Sequence, residues 1–144
     1  MVALLVTGHG NFATGLCSAL NLIAGESEYI LAVDFEAQEG TDDLMRNLEA
    51  AFDSLKEVKS IVVFADIAGG SPFNIASEFK YKHPDRNIEI VAGINLPMLI
   101  KAFTLMNVSK DALEMAEVLP ETGRGQILRL ELKEHKDDPE EDGI

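Results

Sequence analysis

Val2-Ala3-Leu4-Leu5-Val6-Thr7-Gly8-His9-Gly10-Asn11, followed by Phe12, Leu16, Leu20 and Ile23, is the stretch on which the fold turns. Its five leading apolar residues are continuous rather than alternating, the pattern of a short strand covered on both faces. Two glycines then loosen the backbone. The spacings of 4, 4 and 3 that follow trace one stripe of an amphipathic helix. Strand, tight turn and helix together make half of a βαβ unit. The same signature returns at Tyr29-Ile30-Leu31-Ala32-Val33, Ile61-Val62-Val63-Phe64-Ala65 and Ile88-Glu89-Ile90-Val91-Ala92, with Leu44, Leu48, Phe52 and Leu55 as another helical stripe. Alternation of this kind predicts an α/β fold, a doubly wound and mainly parallel four-stranded sheet flanked by helices.

Beyond the fourth run the pattern predicts helices near 96–106 and 110–119. Glu121-Thr122-Gly123-Arg124-Gly125 then reads as a break. Leu128, Leu130 and Leu132 alternate with Arg129, Glu131 and Lys133, the period of a half-buried C-terminal strand. Such a strand is expected to be antiparallel and to pair with its own sheet or with a neighbouring subunit's.

The chain has 144 residues, enough for one domain with a substantial core. Its 12 basic and 25 acidic residues leave a net charge of −13. Nothing here resembles the basic stripe that nucleic acid requires, and an anionic membrane would repel the surface. Five acids crowd into Asp137–Asp142 with no base among them. Residues 1–133 are therefore expected to form the domain and 134–144 an acidic, solvated tail. The single cysteine, Cys17, excludes an intramolecular disulfide and any multi-cysteine metal site, and its spacing reads as helix core. No apolar run reaches the roughly 18 residues of a membrane span, and no basic flank precedes the first strand. A cytoplasmic protein is the expectation.

In an open parallel sheet, ligands collect beyond the carboxyl ends of the strands near the switch in strand order. Three strand ends qualify here. His9 stands between Gly8 and Gly10 with a helix start just after it, a setting suited to an anion and above all to a phosphoryl group. A plain loop or helix-capping role for His9 stands beside that reading. Asp66 emerges after five apolar residues, either as a loop-capping carboxylate or as a group that orients His9 and leaves its second ring nitrogen free as a nucleophile. Gly69-Gly70-Ser71-Pro72 reads as a turn, then Ser71 as N-cap and Pro72 as the first helical residue, with N–H groups and a hydroxyl placed to hold phosphoryl oxygens. Asn95-Leu96-Pro97 repeats the cap-then-proline logic, chiefly as structure. His83 and His135 lack glycine framing and are expected in solvent. No metal site and no cofactor are expected, and Gly8-His9-Gly10 lacks the lysine and spacing of a nucleotide loop. A response-regulator receiver would carry its phosphoryl group at the position of Asp66, but the acidic pair it needs after the first strand is replaced here by Thr7-Gly8-His9.

Taken together, Val6-Thr7-Gly8-His9-Gly10, Asp66-Ile67-Ala68-Gly69-Gly70-Ser71-Pro72-Phe73-Asn74 and Ala92-Gly93-Ile94-Asn95-Leu96-Pro97-Met98-Leu99 resemble the mannose-family enzyme IIA components of the bacterial phosphoenolpyruvate-dependent sugar phosphotransferase system. Glu121-Thr122-Gly123-Arg124 is similar to the break before that family's last strand, so the resemblance spans about residues 1–133. It implies a phosphotransferase in which His9 accepts a phosphoryl group from the phosphocarrier HPr and passes it to a IIB component. Asp66 would orient His9, and Gly8, Gly10, Gly69, Gly70 and Ser71 would line the phosphoryl pocket. It further implies a homodimer that exchanges the C-terminal strand, with membrane subunits IIC and IID as indirect partners. The negative body charge would steer a basic HPr face. Two neighbouring identities follow from the same resemblance: the phosphotransferase subunit that feeds dihydroxyacetone kinase, and a non-catalytic regulatory domain of this fold.

Overall fold

The computed structural model describes residues 1–132. Among them, nine elements follow in chain order: β1 (Val2–His9), α1 (Phe12–Ala24), β2 (Ile30–Phe35), α2 (Thr41–Ser54), β3 (Ser60–Ala65), α3 (Ser71–Lys82), β4 (Asn87–Ala92), α4 (Leu96–Leu105) and α5 (Ala112–Gly125). The strands form one sheet in the order β2-β1-β3-β4, every pair parallel, as the continuous apolar runs predict. β1 and β3 lie at the centre, and Leu4 of β1 faces Ile30 on one side and Val62 on the other.

Period-two geometry divides the core between two faces. Leu4, Val6, Val62 and Phe64 pack with Cys17 and Leu20 of α1, Leu99 of α4 and Met115 and Leu119 of α5. Leu5, Ile61 and Val63 pack with Leu44, Leu48, Phe52 and Leu55 of the α2 stripe and with Ala76 of α3. Each large apolar side chain removed from water contributes about 1.5–3 kcal/mol, so this double layer holds the strand ends firmly in place. No helix among the described residues is long and apolar enough to cross a membrane.

Four local readings change. In α1 the buried positions are Ala13, Cys17 and Leu20, while Ile23 is 44% exposed, so the helix turns those three side chains to the core and packs Phe12 and Leu16, partly buried, beside them. α5 runs through the expected break at 121–125, despite Pro120 inside it. Tertiary packing overrides the stop signals there, because Gly123 is buried where an added Cβ would lie 2.7 Å from Met98 Cε. His83 is not free in solvent: it ends α3, stacks on Phe79 at 3.9 Å and shares a hydrogen bond of 2.9 Å between Nδ1 and the Phe79 carbonyl. Finally, residues 126–132 form no strand within the single chain, and Ile127, Leu128, Leu130 and Leu132 are 75% to 97% exposed. Lys133, His135 and the acidic tail lie outside the described residues.

The chain leaves α5 beside an open groove of about 460 Å³ between the free edge of β4 and the helix, lined by Val91, Met98, Leu113, Ala116, Pro120 and Ile127 among others. At the opposite end of the sheet, β2 pairs with β1 and among the described residues has no strand on its outer edge.

Candidate functional site

The carboxyl ends of β1 and β3 lie side by side, which brings His9 and Asp66 together across 57 residues of sequence. Asp66 Oδ2 takes the backbone N–H of His9 at 2.9 Å and lies 2.8 Å from His9 Nδ1. Asp66 Oδ1 accepts from the Ile67 N–H at 2.9 Å. An ionised carboxylate can only accept, so Nδ1 carries the ring proton and Nε2 keeps its lone pair. The histidine side chain is 47% exposed and the aspartate 13%, so the imidazole is open to solvent while the carboxylate that holds it is covered. Burial pushes the Asp66 carboxyl up, but the His9 and Ile67 N–H groups and the imidazole outweigh it and hold the group below its ordinary value of 3.8.

Glycine is required around this pair for two separate reasons. Gly10 and Gly69 turn the chain at φ +58° and +80°, in the left-handed region. Gly8 and Gly70 instead make room. A Cβ on Gly70 would stand 2.9 Å from His9 Cε1, and one on Gly8 would stand 2.7 Å from Phe12 Cδ1 and 2.9 Å from Asp66 Cγ. Gly8 is thus buried beneath the carboxylate.

The imidazole lies against the start of α3. Gly70 is the N-cap there and Ser71 the first helical residue, one position later than the cap role expected for Ser71. No side chain caps this helix, its first turn holds no acid, and Pro72 has no N–H to offer. Asn74 Nδ2 donates to the Gly69 carbonyl and steadies the turn. The N–H groups of Ser71 and Phe73 have no partner within the helix by position, and they stand at its positive end.

α1 offers a contrast. Its N-cap, Asn11, makes no side-chain cap bond. The cap comes from another strand: Thr14 donates its N–H to Asp34 Oδ1 at 3.0 Å and its hydroxyl to Asp34 Oδ2 at 2.6 Å. Asp34 ends the second apolar run much as Asp66 ends the third, so the signal that singled out Asp66 was also present there. Its charge, after burial, helps push the Cys17 thiol up to about 11. Phe35, next to it, sets its ring 5.8 Å from that of His9, and its carbonyl receives the Gly10 N–H at 2.7 Å. Ile67, 54% exposed, sits on the loop just after Asp66. Among the described residues, no three His, Cys, Asp or Glu side chains converge to hold a metal ion.

The arrangement is a nucleophilic nitrogen oriented by a carboxylate and backed by an uncapped helix N-terminus. Chemically it suits the reversible capture of an anionic, electrophilic group such as phosphoryl.

Several known proteins are similar to this chain. The family model described as "PTS system fructose IIA component" (EIIA-man) matches residues 3–119. The PTS system fructose-specific EIIA component of Bacillus subtilis is 31% identical over 105 residues, which cover 73% of this chain and 70% of that one. The PTS system mannose-specific EIIAB component of Escherichia coli K12 is 29% identical over 132 residues, 92% of this chain but 40% of that protein's length. Among solved structures, phosphotransferase system component EIIA from Streptococcus agalactiae superposes with a TM-score of 0.82 at 29% identity, covering 90% of this chain and 97% of that one.

Proposed function

Since the chain belongs to the mannose-family IIA components of the sugar phosphotransferase system, a phosphoryl-carrier role in sugar transport, we propose that His9 is the residue that carries the phosphoryl group. The observation that supports this most is the His9–Asp66 pair at 2.8 Å, which engages Nδ1 and leaves Nε2 free on a half-exposed ring. In the proposed step, the Nε2 lone pair attacks the phosphorus of a phosphohistidine on HPr. The new N–P bond forms in line as the old one breaks, and the electron pair returns to the donor ring. Positive charge grows on the His9 ring and is met by the Asp66 carboxylate. The phosphoryl oxygens lie against the Ser71 and Phe73 N–H groups, the Ser71 hydroxyl and the turn of Gly69 and Gly70. A second in-line transfer hands the group to a IIB component, and membrane subunits IIC and IID complete the system. The protein acts in the cytoplasm, as one domain over residues 1–133 with an acidic tail over 134–144.

The same reading includes a homodimer. The open groove along β4 includes the apolar side chains of Val91, Met98, Leu113 and Ala116, and Leu128, Leu130 and Leu132 are exposed beyond it. A second copy's 127–132 segment, pairing antiparallel with β4, would cover both apolar surfaces at once.

Incubation with phosphoenolpyruvate, enzyme I and HPr should place one acid-labile phosphate per chain, on His9. His9→Ala should take none while keeping the wild-type circular dichroism. Label persisting in that variant would sink the assignment. Phosphate that arrives but is never passed to any IIB partner would favour the regulatory-domain identity instead.

A further inference from the structure

We propose that Asp34 is a positioning residue of the phosphoryl site: it occupies the N-terminus of α1, so that a phosphoryl group on His9 is held by α3 alone and remains easy to pass on. This rests on the carrier reading of His9.

Three observations carry the inference. Asp34 is the register partner of Gly8, one residue from His9 across the β1–β2 pair, and it reaches the same side of the sheet as Phe12 and Thr14. Gly8 separates it from Asp66, which lies over the Gly8 Cα from the β3 side. Two carboxylates therefore flank one glycine, one holding the histidine and the other holding the helix that follows it. Second, Asp34 supplies both cap contacts that Asn11 does not. A fixed anion there cancels the positive end of α1, whereas the start of α3 has neither a cap nor an acid. Third, no Lys or Arg occurs in residues 1–45, so the charge of Asp34 is not offset by a basic side chain from this first third of the chain. The consequence is a site with one helix N-terminus open to the phosphoryl group and a second one closed by a negative charge. A carrier benefits from that balance, because a group bound too well would not be released.

The test compares wild type with Asp34→Asn and Thr14→Val. Asn keeps both contacts, its amide oxygen accepting from the Thr14 N–H and its amide nitrogen donating to the hydroxyl, but removes the charge. Val keeps the charge and removes the hydroxyl. The equilibrium constant for phosphoryl exchange with HPr should move toward the phosphorylated chain by roughly three- to tenfold in Asp34→Asn, and by less at high salt. It should stay in place in Thr14→Val. Adding Asn11→Asp to Asp34→Asn returns a charge to the helix start and should restore the wild-type value. That double variant also keeps the test alive if Asp34→Asn alone is poorly folded. A second readout needs no protein donor: after chemical phosphorylation with phosphoramidate, the phosphohistidine of Asp34→Asn should outlast that of wild type. Equal equilibrium constants and equal lifetimes in folded Asp34→Asn overturn the proposal. A wild type that takes phosphate from phosphoramidate but not from HPr would sink the carrier reading and leave the lifetime comparison decisive for Asp34.

Discussion

At Gly70 one added carbon would reach the imidazole, 2.9 Å from Cε1. Gly70→Ala is expected to tilt His9 off Asp66 and slow phosphoryl transfer by about 100-fold, the usual consequence of a misplacement near 1 Å. Thermal stability should change little, because φ at Gly70 is −78° and alanine adopts it freely. Transfer within threefold of wild type would show that the ring is not held by that contact. Asp66→Asn should also slow transfer, since an amide neither fixes the tautomer firmly nor balances the growing ring charge. The sign of the pH effect follows from the depressed carboxyl of Asp66. Its stabilising contribution is complete above the ordinary value of 3.8 and is lost as pH falls through the lower folded value. Acid unfolding of wild type and Asp66→Asn should therefore diverge above about pH 4 and converge below it, as measured by circular dichroism. At this scale the sequence was informative for His9, Asp66 and the Gly70 turn, because an acid or glycine just past an apolar run must emerge at the strand end. It was silent on which side chain each of the two crowded glycines makes room for. That distinction depends on what lies opposite, and Gly8 faces Phe12 and Asp66 while Gly70 faces the ring.

Among the elements, α2 depends on a residue far outside it. Arg86 donates to the carbonyls of Phe52, Leu55 and Val58, closing the C-terminal end of α2 and the turn beyond it with one guanidinium. Arg86→Met should cost about 2–3 kcal/mol in urea unfolding while leaving phosphoryl acceptance by His9 intact. A loss below 0.5 kcal/mol would mean that water replaces those contacts. α5 makes a similar point about legibility. Pro120 and Gly123 are stop signals when read locally, yet the helix continues. Asn95, the N-cap of α4, donates its side-chain N–H to the Gly123 carbonyl at 2.9 Å and accepts from Met98 N–H at 3.1 Å. The cap-then-proline run and the expected break are thus two halves of one contact, 28 residues apart, which no local pattern could reveal. Gly123→Ala should destabilise by about 1–3 kcal/mol through the clash with Met98 and Asn95, read as a shift in the urea midpoint.

For the whole molecule, the strand order was legible because apolar runs joined by helices permit few topologies, and right-handed crossovers put β1 beside β3. The last expected strand was legible as a pattern but not as a structure. Its alternation reads as a strand, and in the described chain residues 126–132 form none. Removal of residues 127–144 should accordingly convert a dimer to a monomer in light scattering, with His9 still open to chemical phosphorylation by phosphoramidate. A wild type already monomeric at 100 µM would refute strand exchange. The central position of β1 has one more consequence, for how the fold is reached. Neither neighbour of β1 is close in sequence: β2 begins at Ile30 and β3 at Ser60, and each joins only after a helix has been crossed. Loops of that length must close before any ladder of the sheet can reward them, which makes folding slow for a chain of this size. The His9–Asp66 contact closes one of those long loops, so the site does not exist until the centre of the sheet does. A nascent or partly unfolded chain therefore holds its histidine without that carboxylate, and under the proposed role of His9 phosphoryl uptake would be a chemical report on completed folding.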